Sequence, residues 1–148
     1  GDADVFKRML PVFSLLGKGI HYMGPAGSGQ HTKACNQIAV AGAVAAMSEA
    51  LVYARAVGLD EKKMLAAISG GAAGSWQITN TAPRVLNQDF APGFYIKHFI
   101  KDMHIVQQEM EEQGVHLDML EAVCNMYEAL ANAGEENNGT QALVHYYE

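Results

Sequence analysis

A long helical pattern in the first third of the chain constrains the fold more than any other feature. Apolar residues recur there at intervals of three and four, which is the spacing of one helix face: Val40, Val44, Met47, Leu51 and Ala54. The pattern predicts a helix over residues 30–57, and no charged residue lies between Lys33 and Glu49. No apolar run reaches the roughly 20 residues that a membrane span needs, so we expect a buried core helix.

Shorter helical patterns fill most of the remaining chain and predict an all-α domain built around the long helix. They cover residues 5–16, 61–69, 75–80, 83–89, 96–110, 117–130 and 140–147. Asp60 is a predicted N-cap, and Gly58, Gly114 and Gly134 are predicted helix stops. Residues 18–23 are the one predicted strand.

The net charge and the two cysteines indicate which partners and which cellular compartment to expect. The chain has 148 residues, with 10 Lys plus Arg and 16 Asp plus Glu, which gives a formal net charge of -6. This balance argues against nucleic acid as a partner, because binding a phosphate backbone needs clustered cations. Cys35 and Cys124 lie far apart in the sequence, and we expect both to be reduced, buried thiols of a cytoplasmic protein.

Lys33 is the first residue with a chemical role to consider. It lies near the start of the long helix, with Asn36 and Gln37 three and four residues later on the same face. An ammonium group and two amides beside the free N–H groups of a helix start form a suitable place for a small anion or carboxylate. The alternative is a lysine at the surface end of a core helix, extending to water.

The glycine-rich loop before this helix, residues 24–29, allows two interpretations. Its three glycines have the reverse spacing of the dinucleotide fingerprint G-x-G-x-x-G, and its backbone N–H groups could face an anion. It could equally be a hinge between two structural units, since glycine adopts backbone angles that other residues avoid.

Charged and imidazole side chains cluster again between residues 97 and 104. Lys101 and Asp102 lie on the predicted helix there, and such a group is usually a solvated face. His98 and His104 do not have the i, i+4 spacing of a helical zinc pair. The sequence therefore predicts no metal site.

Six short segments, taken in order, resemble the C-terminal domain of the β-hydroxyacid dehydrogenase family, which includes 3-hydroxyisobutyrate dehydrogenase and tartronate semialdehyde reductase. They are GPAGSGQHTKACNQ at 24–37, SEAL at 48–51, GLD at 58–60, SW at 75–76, DFAPGF at 89–94 and KD at 101–102. Residues 5–18 resemble the end of the family's nucleotide-binding domain. The order of the segments, more than any one of them, makes the resemblance specific.

The resemblance implies a fold and a domain organisation. It implies an all-α domain of the 6-phosphogluconate dehydrogenase C-terminal type, with one long central helix, over residues 25–148. Residues 1–24 would be a short helix–strand remnant of an α/β nucleotide-binding domain that is mostly absent. The G-x-G-x-x-G segment of such a domain does not occur in this chain.

The resemblance also implies an activity and the residues that perform it. The activity is the NAD- or NADP-dependent interconversion of a small 3-hydroxy acid and its semialdehyde, with Lys33 as the catalytic general acid and base. The other implied site residues are Gly29, Asn36, Gln37 and Phe94 for the substrate, and Lys101 and Asp102 for the cofactor.

Two further expectations concern partners. The cofactor would be bound mainly by the absent domain, so this chain alone is expected to be inactive. The complete protein is expected to form a homodimer or larger homo-oligomer. Neither a membrane nor nucleic acid is expected as a partner. The rival hypothesis is a non-catalytic helical dimerisation or binding module. It is favoured by the many alanines of the long helix, which permit close packing against a partner.

Overall fold

The structure, a computed structural model, describes all residues from Gly1 to Glu148 and contains helices but no β-sheet. The predicted all-α class is therefore confirmed. The α-helices are α1 (Ala3–Phe13), α2 (Ser28–Ala56), α3 (Glu61–Ile68), α4 (Ala82–Leu86), α5 (Ile96–Glu112) and α6 (Asp118–Leu130). The chain divides into two compact units, residues 1–36 and residues 37–148.

The first unit contains α1 and the beginning of α2. The side chain of Asp2 caps α1 by accepting hydrogen bonds from the backbone N–H groups of Asp4 and Val5 at 2.9 and 2.8 Å. Pro11 lies inside α1 near its end. No residue of α1 is buried in the chain, although its pattern is amphipathic.

The predicted strand at residues 18–23 is wrong, because this segment forms no ladder. A β-strand exists only where its backbone pairs with a neighbouring strand, and no second strand is present in the chain. The segment instead contacts the beginning of the described chain, since the Tyr22 hydroxyl donates to the Gly1 carbonyl at 2.8 Å.

Helix α2 confirms the predicted long helix and begins two residues earlier than expected. It ends before Gly58, whose φ of +74° is the left-handed conformation of a glycine stop. The predicted cap of the next helix is also confirmed, since Asp60 Oδ1 accepts from the Lys63 backbone N–H at 3.0 Å. Both signals are local, which explains why the sequence revealed them.

By length and composition, α2 would suffice to cross a membrane, with a mean hydropathy of 1.4 over its best window. The expectation that no segment of this chain is apolar enough to span a membrane is therefore corrected. The amides and hydroxyls of α2 interrupt a strictly apolar run, but they lower the mean hydropathy of the helix only a little. In the structure, 39% of that window is buried inside the protein. The buried residues include two polar ones, Gln37 and Ser48, and the Ser48 hydroxyl donates to the Val44 carbonyl at 2.9 Å.

Residues 76–86 form one continuous helical run where the sequence predicted two short helices, over 75–80 and 83–89. A π-helical turn (Gln77–Thr81) leads directly into α4, and Pro83 is the second residue of α4. The Ser75 hydroxyl accepts from the Ile78 backbone N–H at 3.1 Å and caps the start of this run.

The core of the second unit is formed where α5 and α6 pack together. Phe99 and Tyr127 are fully buried and meet edge to face, with ring centroids 5.3 Å apart. The Tyr127 hydroxyl donates to the Thr140 carbonyl at 2.7 Å, which ties α6 to the final 3₁₀ helix (Thr140–Tyr147). This last element was predicted as a helix, and it adopts the tighter 3₁₀ form.

The two cysteines differ, and only one matches the expectation of a buried thiol. Cys124 is buried in α6, whereas Cys35 is exposed on α2, because it lies on the face of that helix opposite the buried stripe. Both are free thiols. Burial, with a smaller contribution from the charge of Glu128, raises the pKa of the Cys124 thiol to about 11.

Alkylation with iodoacetamide should therefore separate the two thiols. In the folded protein we expect Cys35 to be labelled quickly and Cys124 slowly, because only Cys124 is buried and burial raises its pKa. Mass spectrometry of peptides after brief labelling measures this. The control is labelling in denaturant, where both should react. Equal labelling of the two in the folded protein would contradict the prediction.

Candidate functional site

Lys33 is the sixth residue of α2 and is exposed to solvent. The loop before it contains two glycines with left-handed backbone angles, Gly24 at φ +121° and Gly27 at φ +92°. The first helical hydrogen bonds follow at once, since the His31 N–H donates to the Gly27 carbonyl at 3.1 Å. The loop thus sets the helix start, and Lys33 emerges in the second turn.

The remaining predicted residues of this first unit are Gly29 and Asn36. Gly29 lies in the first turn of α2, and no atom would lie within 4 Å of a Cβ added there. Asn36 is exposed on the same helix. The open space at Gly29 and the exposure of Lys33 and Asn36 leave this helix start accessible to a small molecule.

Gln37 differs from its neighbours because it is buried, with only 4% of its surface exposed. It begins the second unit, and its amide nitrogen donates to Asp102 Oδ2 on α5 at 2.8 Å. The structure therefore shows Gln37 joining two helices. Its predicted contact with a substrate stays a prediction.

Asp102 bridges two of the predicted site residues. While one carboxylate oxygen accepts from Gln37, the other lies 2.8 Å from Lys101 Nζ. The side chain of Asp102 is largely buried, whereas that of Lys101 is 64% exposed. The arrangement holds the ammonium group of Lys101 near the start of α5 and leaves it accessible to an anionic ligand.

Phe94 lies at the end of the segment that joins α4 to α5 and is 37% exposed. Its ring meets Phe99 of the core at 5.9 Å, edge to face, and lies 6.4 Å from the His98 ring. The Phe94 ring thus contacts the core while part of it faces solvent, and its predicted contact with a substrate stays a prediction.

Two residues that the sequence reasoning missed hold this connecting segment. Arg84 makes a two-pronged pair with Asp89, at 2.8 and 3.1 Å, and also donates to the Ala91 carbonyl at 2.6 Å. The buried Gln141 donates to the carbonyls of Asp89 and Ala91 at 2.9 and 3.0 Å. Arg84 and Asp89 are five residues apart, which is not the spacing of a helical ion pair, so the sequence contained no clear signal for this pair. Nothing in the sequence pointed to Gln141, which lies 52 residues from Asp89.

The Arg84–Asp89 pair should make stability depend on pH at the acidic end. The hydrogen bond from Arg84, followed by that from the Ala91 N–H, lowers the pKa of Asp89 below its ordinary 3.8. A lowered pKa means that the carboxylate stabilises the fold above its unfolded pKa, and that this contribution is lost as the pH falls through the folded pKa.

We therefore expect Asp89→Asn to destabilise the protein at neutral pH and to have a vanishing effect well below about pH 4. Urea unfolding of both proteins at several pH values measures the difference. The matched control is Glu111→Gln, an exposed carboxylate on α5, which should leave stability unchanged throughout. A destabilisation by Asp89→Asn that persists undiminished at acidic pH would show that the charge is not the cause.

The fold and the site together define an all-α domain with a lysine near the start of a long central helix, and comparisons with known proteins identify its class. Residues 27–147 match the family model described as NAD-binding of NADP-dependent 3-hydroxyisobutyrate dehydrogenase. The chain belongs to the β-hydroxyacid dehydrogenase family of which 3-hydroxyisobutyrate dehydrogenase is a member.

Individual relatives agree with this assignment. The chain is 50% identical to an uncharacterised oxidoreductase, YkwC, of Bacillus subtilis (strain 168), over 97% of this chain and 50% of that protein. It is 35% identical to a 2-hydroxy-3-oxopropionate reductase of Escherichia coli (strain K12), over 97% of this chain and 49% of that protein. A solved structure of Mycobacterium tuberculosis 3-hydroxyisobutyrate dehydrogenase with L-serine matches with a TM-score of 0.90 and 26% identity, covering 100% of this chain and 53% of that one. The chain thus spans about half the length of these relatives.

Proposed function

We propose that this chain is the helical substrate-binding part of an NAD(P)-dependent oxidoreductase that interconverts a small 3-hydroxy acid and its semialdehyde. The observation that supports it most directly is the position of Lys33, accessible in the second turn of α2, in a chain that belongs to a family of such oxidoreductases. The substrate would be of the 3-hydroxyisobutyrate or tartronate semialdehyde type.

Lys33 would act as the general acid and base. In the oxidation direction, the neutral Lys33 amine accepts the proton of the substrate hydroxyl as its O–H bond breaks and the carbonyl forms. In the reduction direction, the ammonium form returns that proton to the carbonyl oxygen. When bound, NAD(P) supplies the acceptor or donor of the hydride. Gly29, Asn36, Gln37 and Phe94 would bind the substrate.

The residues present fit a dinucleotide at one place. The exposed Lys101 ammonium, held by Asp102, is a donor of the kind that binds phosphate or carboxylate oxygens. Lys101 would contact the bound cofactor from this domain, and Asp102 would orient the Lys101 ammonium group. A second domain would hold most of the cofactor, because this chain contains no G-x-G-x-x-G segment.

The proposed roles of the two parts of the chain correspond to two domains. Residues 25–148 would form the substrate-binding and dimerisation domain, and residues 1–24 the end of a nucleotide-binding domain. The complete protein would be a cytoplasmic homodimer or larger homo-oligomer, and the 148 residues alone would not turn over.

A comparison of the full-length protein with the 148-residue chain tests the proposal. We expect the full-length protein to oxidise 3-hydroxyisobutyrate or reduce tartronate semialdehyde with NAD or NADP, and the isolated chain to do neither. Absorbance of the reduced nicotinamide follows both reactions. A full-length protein that binds the cofactor but acts on no small 3-hydroxy acid would instead favour the non-catalytic module. Turnover by the isolated chain at the full-length rate would overturn the proposed organisation.

A further inference from the structure

A groove beside α5 and α6 contains donor groups that the proposed oxidoreductase chemistry does not use. It has a volume of about 600 Å³, and its walls come from the second half of α5, from α6 and from the turn between them. None of the residues assigned to substrate or cofactor lines it. The groove is therefore separate from the residues proposed to bind substrate and cofactor.

Three side chains that can bind a metal meet at this groove. The imidazole of His104, the thiol of Cys124 and the carboxylate of Glu128 each offer one ligand atom, and these atoms all lie within 4.8 Å of one another. His104 Nε2 and Glu128 Oε1 are only 2.7 Å apart. Cys124 and Glu128 are four residues apart and share a face of α6, while His104 comes from α5.

The chemistry of these donors selects the kind of ion. One nitrogen, one sulfur and one oxygen ligand suit zinc and similar transition metals, whereas calcium and magnesium prefer oxygen alone. Bonds of about 2.0 Å to nitrogen and 2.3 Å to sulfur put neighbouring donors of a tetrahedral ion roughly 3.5 Å apart. Metal binding would require rotation of the partly exposed His104 and Glu128 side chains to bring the three groups to that spacing.

We propose that His104, Cys124 and Glu128 form a three-ligand site for a divalent transition metal ion of the zinc class, with the fourth coordination position open to the groove. The ion would replace the thiol proton, which is released to solvent, and would link α5 to α6. Three protein ligands and one open position allow water or a small ligand to complete the coordination.

Cobalt titration of the full-length protein tests this site, because a cobalt–thiolate bond gives a charge-transfer absorption that other ligands do not. After removal of metals with a chelator, we expect one Co²⁺ per chain to produce this absorption, and Zn²⁺ to displace it. Cys124→Ser should abolish the band. His104→Gln and Glu128→Gln should weaken Co²⁺ binding by at least about tenfold.

Two controls match these variants. Cys35→Ser removes the other thiol of these 148 residues, and His116→Gln removes another imidazole of the same groove, which pairs with Asp118 and Glu121 at 3.0 and 3.1 Å. Neither should change Co²⁺ binding, and circular dichroism should show that every variant is folded. If Cys124→Ser fails to fold, the partly exposed His104 decides the outcome. The proposal is overturned if the wild type shows no charge-transfer band, if the band persists in Cys124→Ser, or if His104→Gln binds Co²⁺ as tightly as the wild type.

Discussion

Replacing Lys33 by alanine in the full-length protein should reduce kcat for the 3-hydroxy acid by a factor of about 10² to 10⁴, while cofactor affinity stays nearly unchanged. The range is what a positioned general acid or base contributes to a proton transfer. Cofactor affinity should persist because the cofactor is proposed to bind mainly to another domain. Steady-state kinetics with a fluorescence titration of the reduced cofactor measures both quantities.

Two further variants separate proton transfer from simple charge. Lys33→Arg keeps the positive charge but cannot exchange a proton at ordinary pH, so its kcat should fall as far as that of Lys33→Ala while substrate affinity is better preserved. Lys62→Ala removes another exposed lysine, on α3, and should leave both kcat and affinity intact. Full activity of Lys33→Arg, or equal losses of kcat and cofactor affinity in Lys33→Ala, would contradict the proposed role.

Phe99→Ala should destabilise the 148-residue chain by about 3 to 5 kcal/mol, a large fraction of the stability of a domain of this size. Phe99 is completely buried, and its ring contacts Tyr127 and Phe94. Truncation removes the buried ring and leaves a cavity between α5 and α6 that the surrounding helices fill only partly. Denaturant unfolding followed by circular dichroism measures the loss.

The matched control is an aromatic residue on the surface. Tyr53 lies on α2 and is 66% exposed, so Tyr53→Ala should change stability by less than about 0.5 kcal/mol. Phe99→Leu, which keeps most of the buried volume, should fall between the two. A Phe99→Ala loss no larger than that of Tyr53→Ala would mean that the α5–α6 core is not packed as the structure shows.

The predicted site shows which residues a sequence pattern can identify. Lys33 and its glycine loop are adjacent in the chain, and an ordered set of short segments was enough to identify the family. The same reasoning placed Gln37 beside the substrate but could not reveal its hydrogen bond to Asp102, which lies 65 residues further along the chain. A helical period shows which face of a helix is buried, but it does not show which residue of another helix it meets.

The three possible metal ligands of the groove also come from residues far apart in the sequence. His98 and His104 lie on one helix but are six residues apart, whereas a zinc pair on one helix needs a spacing of four residues. Cys124 and Glu128 do have that spacing on α6, and the partner that completes the group is His104 of α5. Only packing of the two helices brings the three together.

The sequence by itself determined most of the helices and several of their ends, since caps and stops such as Asp60 and Gly58 depend on atoms within a few residues. It divided the continuous run over residues 76–86 into two helices. It did not determine whether residues 18–23 form a strand, because a strand requires a partner and none is present. Tertiary structure alone decided that Gln141 holds the segment before α5 and that Asp102 joins Gln37 to Lys101. The physical reason is range: a helix forms from contacts along the chain, whereas a site forms from contacts between helices, and their pairing is set by the packing of the whole core.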